Sequence, residues 1–114
     1  MVGRTALTPR LRRLSVATVL GREVPVAKGV RARLLGLSHL DCDEAGSGLL
    51  IPRCSSVHTF GMRFALDLYF LDERLSLLTV SREIPARRVV SHRGASAVLE
   101  IPVGEGGEFS SPQS

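Results

Sequence analysis

Between Cys54 and Asp72 the chain reads Cys-Ser-Ser-Val-His-Thr-Phe-Gly-Met-Arg-Phe-Ala-Leu-Asp-Leu-Tyr-Phe-Leu-Asp, and most of its chemically versatile side chains fall there. A thiol (Cys54), an imidazole (His58), a hydroxyl (Thr59), a thioether (Met62) and a guanidinium (Arg63) precede a carboxylate at Asp67. These residue types admit three chemistries. A nucleophilic site would use Cys54 as thiolate, His58 as base and Asp67 to orient the imidazole, as in a small hydrolase or transferase. Four extended residues span about 13 Å, so Cys54 and His58 meet only if the chain between them curls. The competing role for Cys54 is that of a small buried hydrophobe. A metal site would draw on Cys54, His58 and Asp67 with His92, but no His-x-His or Cys-x-x-Cys pair accompanies them, so no metal is expected. A binding site would use Arg63 to hold an anion, with hydrogen bonds from His58 and Thr59 and an apolar wall from Phe60 and Met62. Arg63 and Asp67, four residues apart, would equally serve as an ion pair locking a strand to a loop.

The elements that must position these groups are strands. From Phe64 to Leu71 the pattern has period two: Phe64, Leu66, Leu68 and Phe70 on one face, Ala65, Asp67, Tyr69 and Leu71 on the other. Asp72-Glu73-Arg74 turns the chain, and Leu75 to Val80 returns as the antiparallel partner. Ala95 to Val103 reads as a further strong strand, with Ala97, Leu99 and Ile101 facing one way and Glu100 the other. Leu14 to Leu20 and Val24 to Ala27 read as a hairpin joined by Gly21-Arg22-Glu23, and Pro25, which has no N–H, assigns its second strand to an edge. Leu49-Leu50-Ile51 is a brief buried run. Pro85 breaks the stretch from Ser81 to His92, in which Val89-Val90 forms a short strand. Over Gly29 to Leu40 the period becomes helical, with Val30, Leu34, Leu37 and Leu40 on one face, which predicts one short helix ending near Gly36.

Composition sets the bounds. With 114 residues, no Trp, one Tyr and four Phe, a core must rest on Leu, Val, Ile and Ala. The net charge of +4 is uneven: residues 1–33 hold eight Lys/Arg against one Glu, while 34–114 hold seven against ten acids. A basic arm at residues 1–13 would suit an acidic partner, but Arg10, Arg12 and Arg13 are not interleaved with stacking aromatics, which argues against nucleic acid. No apolar run is long enough to span a membrane. Two cysteines without a paired motif fit a reducing cytoplasm, and export with a single disulfide stays open.

Ordered motifs then point to a family. Arg33-Leu34-Leu35-Gly36-Leu37, Gly48-Leu49-Leu50-Ile51, Val57 to Asp67, Phe70-Leu71-Asp72 and Val98-Leu99-Glu100-Ile101-Pro102-Val103-Gly104 together resemble the prokaryotic domain of unknown function 192 family over about residues 16–104. The resemblance implies a small, mainly β domain of sandwich or barrel type and no established activity. The chain departs from the family at Ala65, where members usually carry Pro, and after Gly104, where they usually continue into another strand.

The expectation is therefore a basic flexible lead-in at 1–13, a mainly β domain at 14–104 and a disordered tail at 105–114. The domain is an antiparallel β-sandwich or partly open barrel with one short α-helix. Its expected role is a cofactor-free binding or accessory module for a small polar or anionic ligand or peptide, built on His58, Thr59, Met62, Arg63 and Asp67. A Cys54/His58 enzyme and a structural domain docking through its basic arm are the alternatives.

Overall fold

A computed structural model describes residues 14–27, 36–37 and 48–103. Among these residues eight strands are seen: β1 (Ser15–Val19), β2 (Arg22–Val26), β3 (Leu49–Pro52), β4 (Ser56–His58), β5 (Leu66–Leu71), β6 (Leu77–Ile84), β7 (Val89–Ser91) and β8 (Ala97–Pro102). Six form one sheet in the order β1-β2-β3-β8-β5-β6, and β4 and β7 form a second. The architecture is mainly β, with two sheets and no closed barrel. The short helix expected over 29–40 falls almost wholly outside the described residues, as do the lead-in at 1–13 and the tail at 105–114.

The strand pattern explains both cores. On one face of the large sheet Leu49, Ile51, Leu66, Leu68, Phe70 and Val98 pack together, roofed by Val57 of β4 and by Met62. The alternate residues, Leu50, Tyr69, Leu71, Ala97, Leu99 and Ile101, join Val19, Val24 and Val26 on the other face. β8 is buried along its whole length because it lies between β3 and β5, antiparallel to both.

Several local expectations need correction. The first turn is Leu20-Gly21, with φ of 51° and 82°, so β2 begins at Arg22. Two left-handed residues make the tight turn that matches strand twist. β2 is not an edge strand, because it lies between β1 and β3. Pro25 is tolerated because the parallel pairing to β3 is confined to Val26 opposite Leu50 and the adjoining Ala27 N–H to Leu50 carbonyl bond of 2.8 Å. Ser56–His58, to which the sequence pattern assigned no strand, is a strand paired with β7. Ser81 to Ile84 continues β6 rather than breaking from it.

Two buried carboxylates tie segments to this frame. Glu100, 2% exposed, accepts a hydrogen bond from the Leu37 N–H at 3.2 Å. It is thus held by the 36–37 turn. Gly36 (φ 52°) lies so close that a Cβ there would sit 2.9 Å from the Glu100 Oε1, so a larger residue would displace the carboxylate and strain the backbone. Asp67 sits opposite a β-bulge: Leu66 pairs with Ile84 and Leu68 with Ser81, leaving Asp67 facing both Arg82 and Glu83. A bulge strands a backbone donor. The Asp67 carboxylate takes it, accepting the Glu83 N–H at 2.8 Å.

Candidate functional site

The second sheet and its flanking loops carry most of the residues singled out from the sequence. Their organiser is Thr59, fully buried at 0% exposure. Its hydroxyl donates to the Pro85 carbonyl at 2.7 Å and accepts the Arg88 N–H at 2.8 Å. Its backbone N–H donates to the Arg88 carbonyl, and its carbonyl accepts the N–H groups of Met62 and Arg87. One threonine therefore closes the 59–62 turn and staples it to the 85–88 loop. Arg87 is held at a φ of 68°, a strained conformation for a side chain of its size. Met62 is buried beneath the turn in the first core.

Above this knot the side chains face outward. His58 is exposed on β4, accepts the Phe60 N–H on Nδ1 at 3.2 Å, and its ring centroid lies 5.7 Å from that of Phe60. Phe60 is 51% exposed and Val89, opposite His58 in the register, 65%. Arg63 follows the 59–62 turn and Arg87 and Arg88 lie in the 85–88 loop, and all three are exposed. Exposed rings, an apolar side chain and guanidinium groups on two joined loops can hold an anion by charge and hydrogen bonds.

Other expected partners lie apart. The Cys54 S–H donates to the Ser56 carbonyl at 3.1 Å and the side chain packs half-buried against the first core. No hydrogen bond joins it to His58. Asp67 lies on the face of β5 that carries Tyr69, away from the Thr59 knot, and its cationic partner is Arg82 (3.3 Å) rather than Arg63. His92 packs its ring 5.8 Å from Phe70. Among the described residues no three His, Cys, Asp or Glu side chains gather as metal ligands would.

Sequence reasoning overlooked the group around Asp67. Arg82 also lies over the Tyr69 ring, 5.8 Å from its centroid. Burial raises the Tyr69 pKa above the ordinary 10.0, and Asp67 adds to the rise, while Arg82 and Arg22 oppose it. The sign follows directly. A raised folded-state pKa means that the fold favours the neutral phenol, so this contribution is complete below about pH 10 and is lost as pH climbs through the folded value. Tyr69 is the chain's only tyrosine and there is no Trp, so tyrosinate absorbance reports it alone. Its folded-state midpoint is expected above that of the urea-unfolded chain, and Arg82→Gln should move it higher still. Coincident folded and unfolded titrations would contradict the burial argument.

Comparison with known proteins follows the same outline. The profile of DUF192, described as Uncharacterized ACR, matches residues 14–110. The chain belongs to the DUF192 family. Two solved structures share the fold of this DUF192 chain. One is a protein of unknown function from Novosphingobium aromaticivorans DSM 12444, 18% identical, with a TM-score of 0.63, covering 96% of this chain and 90% of that one. The other is a putative transcription regulator from Sinorhizobium meliloti 1021, 19% identical, with a TM-score of 0.66, covering 85% of this chain and 84% of that one. No curated protein matches the chain. At these identities the likeness concerns fold alone. Among the described residues of this DUF192 chain, no helix is long and apolar enough to cross a membrane.

Proposed function

We propose that this DUF192 domain is a non-enzymatic recognition module whose second sheet, with its two stapled loops, is the binding face for a small anionic ligand or a peptide segment. The observation that carries this reading is the Thr59 knot. It spends a fully buried, multiply bonded residue on holding two exposed loops against each other. A binding face gains from such pre-organisation, because less freedom is lost when a ligand arrives. His58 and Arg63, with Arg87 and Arg88, supply the polar contacts. Thr59 and Met62 hold them from below. Asp67 acts at one remove, by capping the bulge that leads β6 into the 85–88 loop.

A side chain kept for a partner contributes little to the fold. His58→Ala and Arg63→Ala are each expected to change the urea unfolding free energy by less than about 0.5 kcal/mol, as exposed positions usually do. The test of binding is a panel of small dicarboxylates, phosphate esters and short peptides screened by two-dimensional amide NMR. Supporting the reading are shifts confined to residues 56–63 and 85–91 that vanish in His58→Ala or Arg63→Ala. Losses of about 2 kcal/mol or more in both variants, with no ligand response, would make the group a structural clasp and end the proposal.

A further inference from the structure

The second sheet has a feature the ligand reading does not use. The Thr59 N–H bonds the Arg88 carbonyl and the His92 N–H bonds the Ser55 carbonyl. With Val57 opposite Val90 in the register, the inward-pointing backbone groups of β7 are therefore those of Arg88, Val90 and His92. The peptide groups of Val89 and Ser91 point the other way, along the outer edge of β7. Among the described residues nothing hydrogen-bonds that edge. An open edge is a template for another strand, and proteins commonly guard it with charge.

The guard here is of one sign. Arg87 and Arg88 precede β7 and Arg93 follows it, all exposed. From Ile84 to Leu99 there is no Asp or Glu, and none from Arg53 to Leu66, the segment that supplies β4. The layer is thus cationic without internal neutralisation, while the acids of the described chain lie on the large sheet and its loops. Such an edge repels a second copy of itself, which brings the same arginines, and attracts an extended segment rich in carboxylates.

We propose that the outer edge of β7 receives an acidic, extended peptide segment of a partner protein as an added strand. Main-chain bonds to Val89 and Ser91 give the pairing. Arg87, Arg88 and Arg93 give the charge selection, and Val89, 65% exposed, offers apolar contact to alternate side chains. The inference rests on the binding-face reading and narrows it to one partner class and one edge.

The test uses the full chain and a fluorescent Glu-Val-Glu-Val-Glu peptide with blocked termini, followed by anisotropy. Three further probes accompany it: a Lys-Val-Lys-Val-Lys peptide, the acidic peptide N-methylated on the alternate residues that would face β7, and a single-stranded oligonucleotide of equal charge. The expected result is binding of the acidic peptide that weakens with salt, falls at least about tenfold in Arg87→Gln/Arg88→Gln, and is lost on N-methylation. Slowed exchange of the Val89 and Ser91 amides on binding would locate the added strand. The N-methylated peptide leaves β7 itself unchanged and is the deciding probe for main-chain pairing. Equal binding of the acidic and N-methylated peptides, or tighter binding of the oligonucleotide at the same residues, overturns the proposal while leaving the binding face intact. Absence of any response at residues 56–63 and 85–91 to these probes and to the ligand panel removes both.

Discussion

Thr59→Val should lower the urea unfolding free energy by about 2–4 kcal/mol, while Thr59→Ser should lose no more than about 1 kcal/mol. Valine keeps the shape of threonine but replaces the hydroxyl by a methyl group. The Arg88 N–H and the Pro85 carbonyl, which that hydroxyl bonds at 2.8 and 2.7 Å, then lose their shared partner. Each buried polar group left unpaired costs about 1–3 kcal/mol, well above the small net gain of an ordinary hydrogen bond. Thr59 is 0% exposed, so water cannot replace the hydroxyl without opening the loop. Serine keeps the donor and acceptor and removes only a methyl group. Equilibrium denaturation of the three proteins measures the difference, and amide exchange at Arg87 and Arg88 shows whether the staple has opened. A valine variant within about 1 kcal/mol of wild type would mean that the loops are held by β4–β7 pairing alone.

Asp67→Ala carries the second large effect, a loss of about 2–3 kcal/mol. Two bonds end on this carboxylate, and their surroundings decide which matters. Arg82 is 58% exposed in its side chain and 3.3 Å away, and such solvent-screened pairs contribute little, about 0–1 kcal/mol. The bond from the Glu83 N–H is shorter, at 2.8 Å, and part-buried, and it satisfies the donor that the bulge leaves over. The loss should therefore follow the backbone bond. Asp67→Asn, which keeps an acceptor oxygen, is expected to cost less than about 1 kcal/mol, and Arg82→Gln about the same. If Asn proved as damaging as Ala, the ion pair would be the larger contribution and the bulge argument would fail. Glu83 sits at a φ of 53°, so losing the cap should also release strain into the 85–88 loop, giving faster amide exchange there.

These two residues show where reading the chain succeeded and where it stopped. Alternation over Leu66–Leu71 placed Asp67 with Tyr69 and opposite Leu68, and the two cores divide along that line. Extending the alternation back to Arg63 paired it with Asp67, but the strand begins only at Leu66 and the chain bends at Arg63 and Phe64. Period two holds only while the backbone is extended. The true partner, Arg82, lies 15 residues on, beyond the reach of any local pattern. Thr59 was recognised as a polar resource and placed at the site. Its burial was not legible, because what surrounds it is the 85–88 loop, 26 to 29 residues away.

Pro25 makes the same point from the other side. A proline inside a strand signals an edge because it cannot donate, yet β2 is interior. The parallel partner reaches only Val26, a register set by where β3 lies and not by the residues around Pro25. By contrast the β5–β6 turn was legible from its own residues. Asp72 accepts the N–H groups of Arg74 and Ser76 on Oδ1, at 2.8 and 2.9 Å, a self-contained arrangement of the kind aspartate favours.

What the amino-acid sequence determined by itself is the family, through motifs ordered along the chain, and the mainly β class, the facing of β5 and β8 and the β5–β6 turn, which depend on residues within a few positions of one another. Only the tertiary structure decided that β8 is central, that β4 and β7 make a separate layer, and that Asp67 caps a bulge. It also decided that exposed Val89 lies opposite His58 in the register. These are consequences of long-range pairing, in which each strand's neighbour is chosen by the whole set of apolar faces that must be buried together.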